Sequence, residues 1–345
     1  MELLLQPPLI TASLPGIGGQ IKQEPAHFQV EEIPLYQPQG SGEHVYLRLS
    51  REGMTTRTLQ KQMAGLFGLK HSAVGYAGLK DKQARVSQTF SLHLHSGDPQ
   101  EVARRVEAEL PVKVESASRH QNKLKRGHLL GNRFSILVSA PQPEAEQTCQ
   151  PIAQALAQEG LPNFFGEQRF GRERDNAQAG RQALLGKGPR QPWLRQLCLS
   201  AFQSELFNLW LGLRLEQGLF AVLLEGDVAK KTETGGLFVV QDPKEEQARL
   251  DQKEITYTGP IYGSKMLWAQ GQAGQRERQG LEQEQITDQM LSRAKLKGSR
   301  RPARIFIPDL DISPEPEGLR FSFTLPKGSY ATTVLREFMK NETQA

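Results

Sequence analysis

The chain has 345 residues, 37% of them apolar and 23% charged, and 43 basic against 38 acidic side chains leave a net charge of +5. That length suits two domains or one core with a large insertion, and no apolar run reaches the roughly eighteen residues of a membrane helix. Cys149 and Cys198 are the only cysteines and form no CxxC pair, which excludes a disulfide framework and a cysteine-rich zinc site and favours a reducing cytoplasmic setting. The start, MELLLQPPLITASLPG, has no basic region and breaks at Pro7-Pro8, so it makes a poor signal peptide.

In chain order, Ile21 to Glu32 reads as two short strand pieces interrupted at Pro25. His44 to Leu49 alternates, with Val45, Leu47 and Leu49 on one face. Thr55 can cap a helix whose apolar positions are Leu59, Met63, Leu66 and Phe67. Ala73 to Gly78 is strand-like and runs into Leu79-Lys80-Asp81-Lys82. Phe90, Leu92 and Leu94 alternate with Ser91, His93 and His95 as a half-buried strand, and Arg133 to Ser139 is another. After Ala140, PQPEAEQ reads as a linker-like turn, Pro151 to Glu159 as a helix, and Arg195 to Gly218 as the longest helix. A glutamine- and charge-rich region follows, with short strand candidates such as Leu237 to Val240. Strands return at Ala303 to Ile307 and Leu319 to Leu325, and Ser329 can cap a last helix through Val334, Leu335 and Phe338. This predicts an α/β (α+β) core built from residues 1–156 and 303–345, with 157–302 inserted between them; two sequential domains split near 150 are the alternative.

Basic charge collects unevenly. Arg119 to Arg133 holds Lys123, Lys125 and Arg126 and no acid, and Ser292 to Arg304 holds Arg300 and Arg301 and no acid. Phe164 to Arg174 interleaves phenylalanines with Arg169 and Arg172. Such runs neutralise phosphates, and neighbouring rings can stack on bases, so an RNA partner is expected over solvated loops. No nucleotide-binding glycine loop, metalloprotease, deaminase or serine-hydrolase motif is present. His93 and His95 share a strand face, but no third ligand stands at suitable spacing, so they are read as a solvent-facing pair. Neither metal nor organic cofactor is expected.

The segment from Val74 to Arg85, VGYAGLKDKQAR, ends a strand in glycine and sets Asp81 between two lysines. Adjacent positive charge would keep that carboxylate ionised and suited to attack rather than to proton donation. On local sequence alone, a surface Lys-Asp-Lys turn is the simpler reading. GYAGLKDKQARVSQ, however, resembles the signature of the tRNA pseudouridine synthase D (TruD) family. IKQEPAHFQVEEIP, GNRF, NFFGEQRFG, AFQSELFN and LPKGSYATTVLREF resemble its other motifs, in order, from residue 21 to residue 338.

The resemblance implies a pseudouridine synthase catalytic core with a mixed, largely antiparallel sheet, interrupted by a family-specific α/β insertion, the two facing each other across a basic cleft. It implies isomerisation of uridine to pseudouridine in tRNA, at position 13 of certain tRNAs, by a monomer without membrane, metal or cofactor. Asp81 matches the family's essential aspartate, acting at the ribose by attack on C1′ or by removal of the C2′ proton. Lys22 is its expected partner. Phe28, Lys80, Asn132, Phe134 and Tyr330 are expected around the substrate, with Phe134 stacking on the base and Tyr330 standing where the family pattern has phenylalanine. Lys80 and Lys82, pointing away from Asp81 on an extended segment, are expected at phosphates, together with Arg85, Lys123, Lys125, Arg126, Arg169, Arg172, Arg300 and Arg301. A non-catalytic RNA-binding or folding module and a nucleoside N-glycosidic hydrolase are the rival readings.

Overall fold

Phe28 and Val30 are buried while Gln29 and Glu31 are partly exposed, the alternation of a half-buried strand. The strand they form, β1 (Phe28–Pro34), lies inside an eight-stranded sheet. The others are β2 (His44–Arg51), β3 (Val74–Tyr76), β4 (Arg85–His93), β5 (Val112–His120), β6 (Leu129–Ser139), β7 (Asp311–Glu315) and β8 (Gly318–Pro326). Their order is β7-β8-β6-β1-β4-β2-β5, with β3 beside β4. Every pairing is antiparallel except that of β1 with β4, which matches Val30 to Val86. The sheet is therefore mixed and draws strands from widely separated parts of the chain. The structure, a computed structural model, describes residues 6–171 and 173–341.

Register decides what shares a face. Val45, Leu47, Leu49 and Arg51 of β2 pair with Leu92, Phe90, Gln88 and Val86 of β4. Helix α1 (Thr56–Leu66) and helix α2 (Pro99–Glu109) cover that face, burying Leu59, Met63, Val102 and Val106 against it. Thr55 caps α1 as expected, accepting from the Thr58 amide at 3.1 Å. The same face continues across Phe28, Val30 and Glu32 of β1, then Asn132, Phe134 and Ile136 of β6, then Phe321, Phe323 and Leu325 of β8.

The chain divides into two compact units. One holds Gly16–Gln150, Ile307–Gly328 and the chain from Met339, and contains this sheet; the other holds the residues up to Pro15, Pro151–Phe306 and Ser329–Phe338. In the second, strands Ser299–Pro302, Ile255–Ile261, Val228–Lys231 and Leu237–Val239 form an antiparallel sheet in that order. The long helix Pro192–Glu216 buries Phe207, Trp210 and Leu211 beside it, and Phe202 and Leu206 in a separate cluster.

Three local expectations are corrected. Ile21 to Glu32 holds one strand rather than two: a 3-10 turn at Pro25–His27 precedes β1, because proline fixes φ and offers no amide to a ladder. The helix expected at Pro151 to Glu159 begins earlier, at Ala145, so that only Pro141 to Glu144 of PQPEAEQ forms the turn and its last three residues are helical. Ser329 does not cap the final helix, Ala331–Met339; its hydroxyl donates to Asn163 Oδ1 at 3.0 Å. The glutamine-rich stretch is organised into helices Pro243–Asp251, Gly271–Gln283 and Asp288–Arg293. Among the described residues no helix is long and apolar enough to cross a membrane.

Candidate active site

The loop from Ala77 to Ala84 joins β3 to β4, and it is pinned at several points. Gly75, just before it, has no room for a side chain: a Cβ there would lie 2.2 Å from the Leu124 carbonyl oxygen. Gln88 of β4 donates to the Gly78 carbonyl at 2.6 Å. The Lys80 amide donates to the Thr56 hydroxyl at 2.9 Å. That hydroxyl also accepts from the Arg51 guanidinium and donates to Gln88 Oε1, each at 3.1 Å. Burial draws Arg51 down to about 10, and the charge of Asp81 pulls the other way.

Lys80 itself turns inward. Its ammonium donates to Glu32 Oε2 and to Asn132 Oδ1, both at 2.8 Å. Its side chain is 6% exposed and that of Glu32 only 1%. Glu32 and Asn132 are register partners on β1 and β6, so the ammonium ties the loop to two neighbouring strands. An ion pair this deep in the protein is spent on position and is not free for phosphate, which corrects that expectation for Lys80.

Asp81, next in the chain, points to a different partner. Its Oδ2 accepts from Lys22 Nζ at 2.6 Å, and its Oδ1 accepts from the Gln83 amide at 3.3 Å. Lys22 has φ of +61, a left-handed conformation uncommon outside glycine. Its ammonium also sits 4.6 Å from the ring centroid of Phe28, a cation–π contact. Phe28 meets Phe134 edge-on at 6.4 Å, and Phe134 lies 5.5 Å from Phe323. Burial alone would raise the Asp81 carboxyl. The Lys22 hydrogen bond and charge, with the Gln83 and Lys82 amides, outweigh it and hold the group below the usual carboxylate range. The side chain is 46% exposed, so a reactant can reach it. The result is an ionised, oriented, accessible carboxylate whose lysine partner rests over the ring of Phe28, with the chemistry of a nucleophile or base.

Comparison with known proteins bears on the same residues. The family pattern described as tRNA pseudouridine synthase D (TruD) matches residues 6–191 and 189–338. The chain belongs to the TruD family. A TruD relative from Thermus thermophilus, described as tRNA pseudouridine synthase D, is 42% identical over 354 aligned residues, covering 99% of this chain and 95% of that protein. One of the same description from Anaeromyxobacter sp. (strain Fw109-5) is also 42% identical, covering 96% of each chain. A crystal structure assigned to TruD from Methanosarcina mazei shares the fold, with a TM-score of 0.76 at 22% identity over 97% of this chain and 96% of that one.

The TruD motifs thus bring Lys22, Phe28, Lys80, Asp81, Asn132 and Phe134 together from separate stretches of the chain. Other expected residues fall elsewhere. Lys82, Lys125 and Arg126 are exposed, with Arg126 donating to the Tyr76 hydroxyl at 3.0 Å. Arg85 is exposed and paired with Glu52, and Lys123 donates to the Ser72 carbonyl. Tyr330 lies in the other unit, its ring 6.0 Å from Phe165, and Arg169 there donates to the Ser204 hydroxyl at 3.0 Å. Arg172 lies outside the described residues. Within their run, whose Arg293, Lys295 and Lys297 are exposed, Arg300 and Arg301 are themselves corrected as phosphate contacts. Arg300 pairs with Glu277 at 2.7 Å with both side chains buried, and Arg301 donates to Asn163 Oδ1 at 2.8 Å beneath the ring of Phe165. Burial lowers Arg301 to about 10.

Sequence reasoning missed Glu32, Arg51, Thr56 and Gln88. For Glu32 a signal existed: it follows Phe28 and Val30 at alternate positions, a carboxylate in phase with a buried strand face. Thr56 and Gln88 carry no such mark, since their roles come from strand register.

Proposed function

We propose that this protein isomerises uridine to pseudouridine in transfer RNA, at position 13 of certain tRNAs, with Asp81 acting at the ribose. The observation that carries this is the Lys22–Asp81 pair, 2.6 Å apart, its ammonium over the ring of Phe28 and its two members from separate motifs of the matched family pattern. The uridine leaves its stack, as enzymes acting on a base require. The bond between C1′ and N1 breaks, the uracil turns in place, and C5 bonds to C1′. N1 takes up a proton and C5 gives one to solvent, so no group enters or leaves overall. Asp81 either attacks C1′ or takes the C2′ proton, and both roles need the ionised form that Lys22 favours. Phe28 and Phe134 supply an apolar wall for the base. Lys80 acts through Glu32 and Asn132 to position the loop, and Asn132 retains donors for a uracil edge. Lys82, Lys125 and Arg126 are the exposed cations offered to phosphates.

The sheet carrying these residues draws β7 and β8 from beyond residue 302, which supports a catalytic core from 1–156 and 303–345 interrupted by 157–302, with the difference that the residues up to Pro15 and Ser329–Phe338 group with the intervening unit. A tRNA enzyme with two buried free cysteines suits the cytoplasm.

The test is tritium release from transcripts labelled at uridine C5, with wild type and Asp81→Asn. Wild type is expected to release tritium and the variant none, while both bind tRNA. Equal release by both would remove Asp81 from the chemistry. Free uracil as product would mean hydrolysis, and absence of turnover by wild type would mean a binding module.

A further inference from the structure

The face of the sheet opposite the Asp81 network carries a row of imidazoles. His44 is the register partner of His93 on one side and of His120 on the other, and its ring stacks on that of His93 at 4.7 Å. His95 follows two residues after His93, with ring centroids 4.4 Å apart. Alternate positions on an extended chain place both side chains on one face.

The third ligand that spacing could not reveal comes from across the sheet. Glu43 precedes β2, and its carbonyl accepts from the Leu94 amide at 2.9 Å. One carboxylate oxygen lies 3.3 Å from His93 Nε2 and the other 3.5 Å from His95 Nδ1. The three donor atoms fall within 4.8 Å of one another, the one such group among the described residues. Zinc bonds of about 2.0–2.1 Å at tetrahedral angles put donor atoms about 3.3–3.4 Å apart, so a donor set within 4.8 Å closes on an ion by side-chain shifts of about 1 Å.

The backbones that present them are held by one guanidinium. Arg119 donates to the Gly42 carbonyl at 2.7 Å, to the Leu94 carbonyl at 3.0 Å and to the Gly97 carbonyl at 2.7 Å. It therefore fixes the residues flanking Glu43 and His95 together. Two imidazoles and one carboxylate are a zinc-type donor set that leaves a position for water.

We infer that Glu43, His93 and His95 form a binding site for a single divalent transition cation of the zinc class. The ion would clasp the start of β2 to the segment leaving β4. The site is independent of the uridine chemistry: it lies on the other face and at the far end of β4 from the Asp81 loop, about 25 Å along the strand at about 3.3 Å per residue.

The experiment titrates zinc chloride into chelator-treated full-length protein by calorimetry, and cobalt chloride while recording visible absorption. Wild type is expected to bind one zinc ion saturably and to give the cobalt bands of a four-coordinate N/O site. His95→Ala should abolish that site and Glu43→Gln should weaken it about tenfold or more. His71→Ala, an exposed histidine elsewhere, should bind as wild type does. Circular dichroism of each variant checks the fold. Absence of saturable binding by wild type, or equal affinity in His95→Ala, would overturn the site and leave only His–Glu ion pairs. Neither result touches the Asp81 assay.

Discussion

Replacing Lys80 by methionine should damage the protein through Glu32 rather than through weaker RNA binding. The methionine fills most of the same volume but removes the ammonium. The Glu32 carboxylate, on a side chain 1% exposed, is then left with the Thr89 amide, which donates at 3.3 Å. Asn132 Oδ1 loses its donor at the same time. Breaking one side of a buried ion pair costs about 3–5 kcal/mol, because a charge is left in low dielectric without compensation. For a unit of this size each kcal/mol moves the midpoint by about 2–4 °C, so the unit bearing the large sheet should melt about 10 °C lower. The double variant Lys80→Met with Glu32→Gln removes the stranded charge, and its amide can still accept from Thr89. It should recover more than half of the drop. Calorimetry of the four proteins in the cycle measures this directly. A single variant melting within about 2 °C of wild type, or a double variant no better than the single, would refute the account of Lys80 as a buried tether.

Lys22→Met should move the acid limb of tritium release to higher pH. Asp81 sits below the usual carboxylate range because of Lys22, and without it the upward push of burial meets less opposition; an unmoved limb would dissociate the pair from turnover. Charge reversal at Lys125 and Arg126 should weaken tRNA binding and lower the salt slope by about one for each phosphate no longer neutralised, read from binding across a salt series. Arg300→Glu should instead leave the protein insoluble or poorly folded, since it faces buried Glu277, and normal solubility with only weaker RNA binding would restore the surface reading. Neither cysteine should react with Ellman's reagent in the native protein, as burial removes both from solvent and raises the Cys149 thiol to about 12; rapid labelling would contradict that.

How far the sequence could be read depended on whether the relevant partner was near in the chain. Alternation and capping made β2, β4, α1 and the long helix legible, because each answers to its own residues. Asp81 was indistinguishable from a surface turn until its whole segment matched a family signature. Its bond to Lys22 then followed from that likeness and not from spacing. The basic run at Arg300 and Arg301 misled because acid-free sequence says nothing about what packs against it. Glu277 and Asn163, the partners that bury those arginines, lie outside that run. Glu43 escaped for a similar reason: it meets His93 and His95 only through the pairing of β2 with β4.

Because β8 pairs with β6 along its whole length, the large sheet is completed late in synthesis: all of 157–302 is translated between the two strands. While that stretch emerges from the ribosome, β6 has an open edge where β8 will dock, a surface prone to pairing with other chains. Phe134 also waits for Phe323 until then. Slow translation or premature termination in that window should expose the nascent chain to aggregation, and chaperone engagement should end when β8 is released.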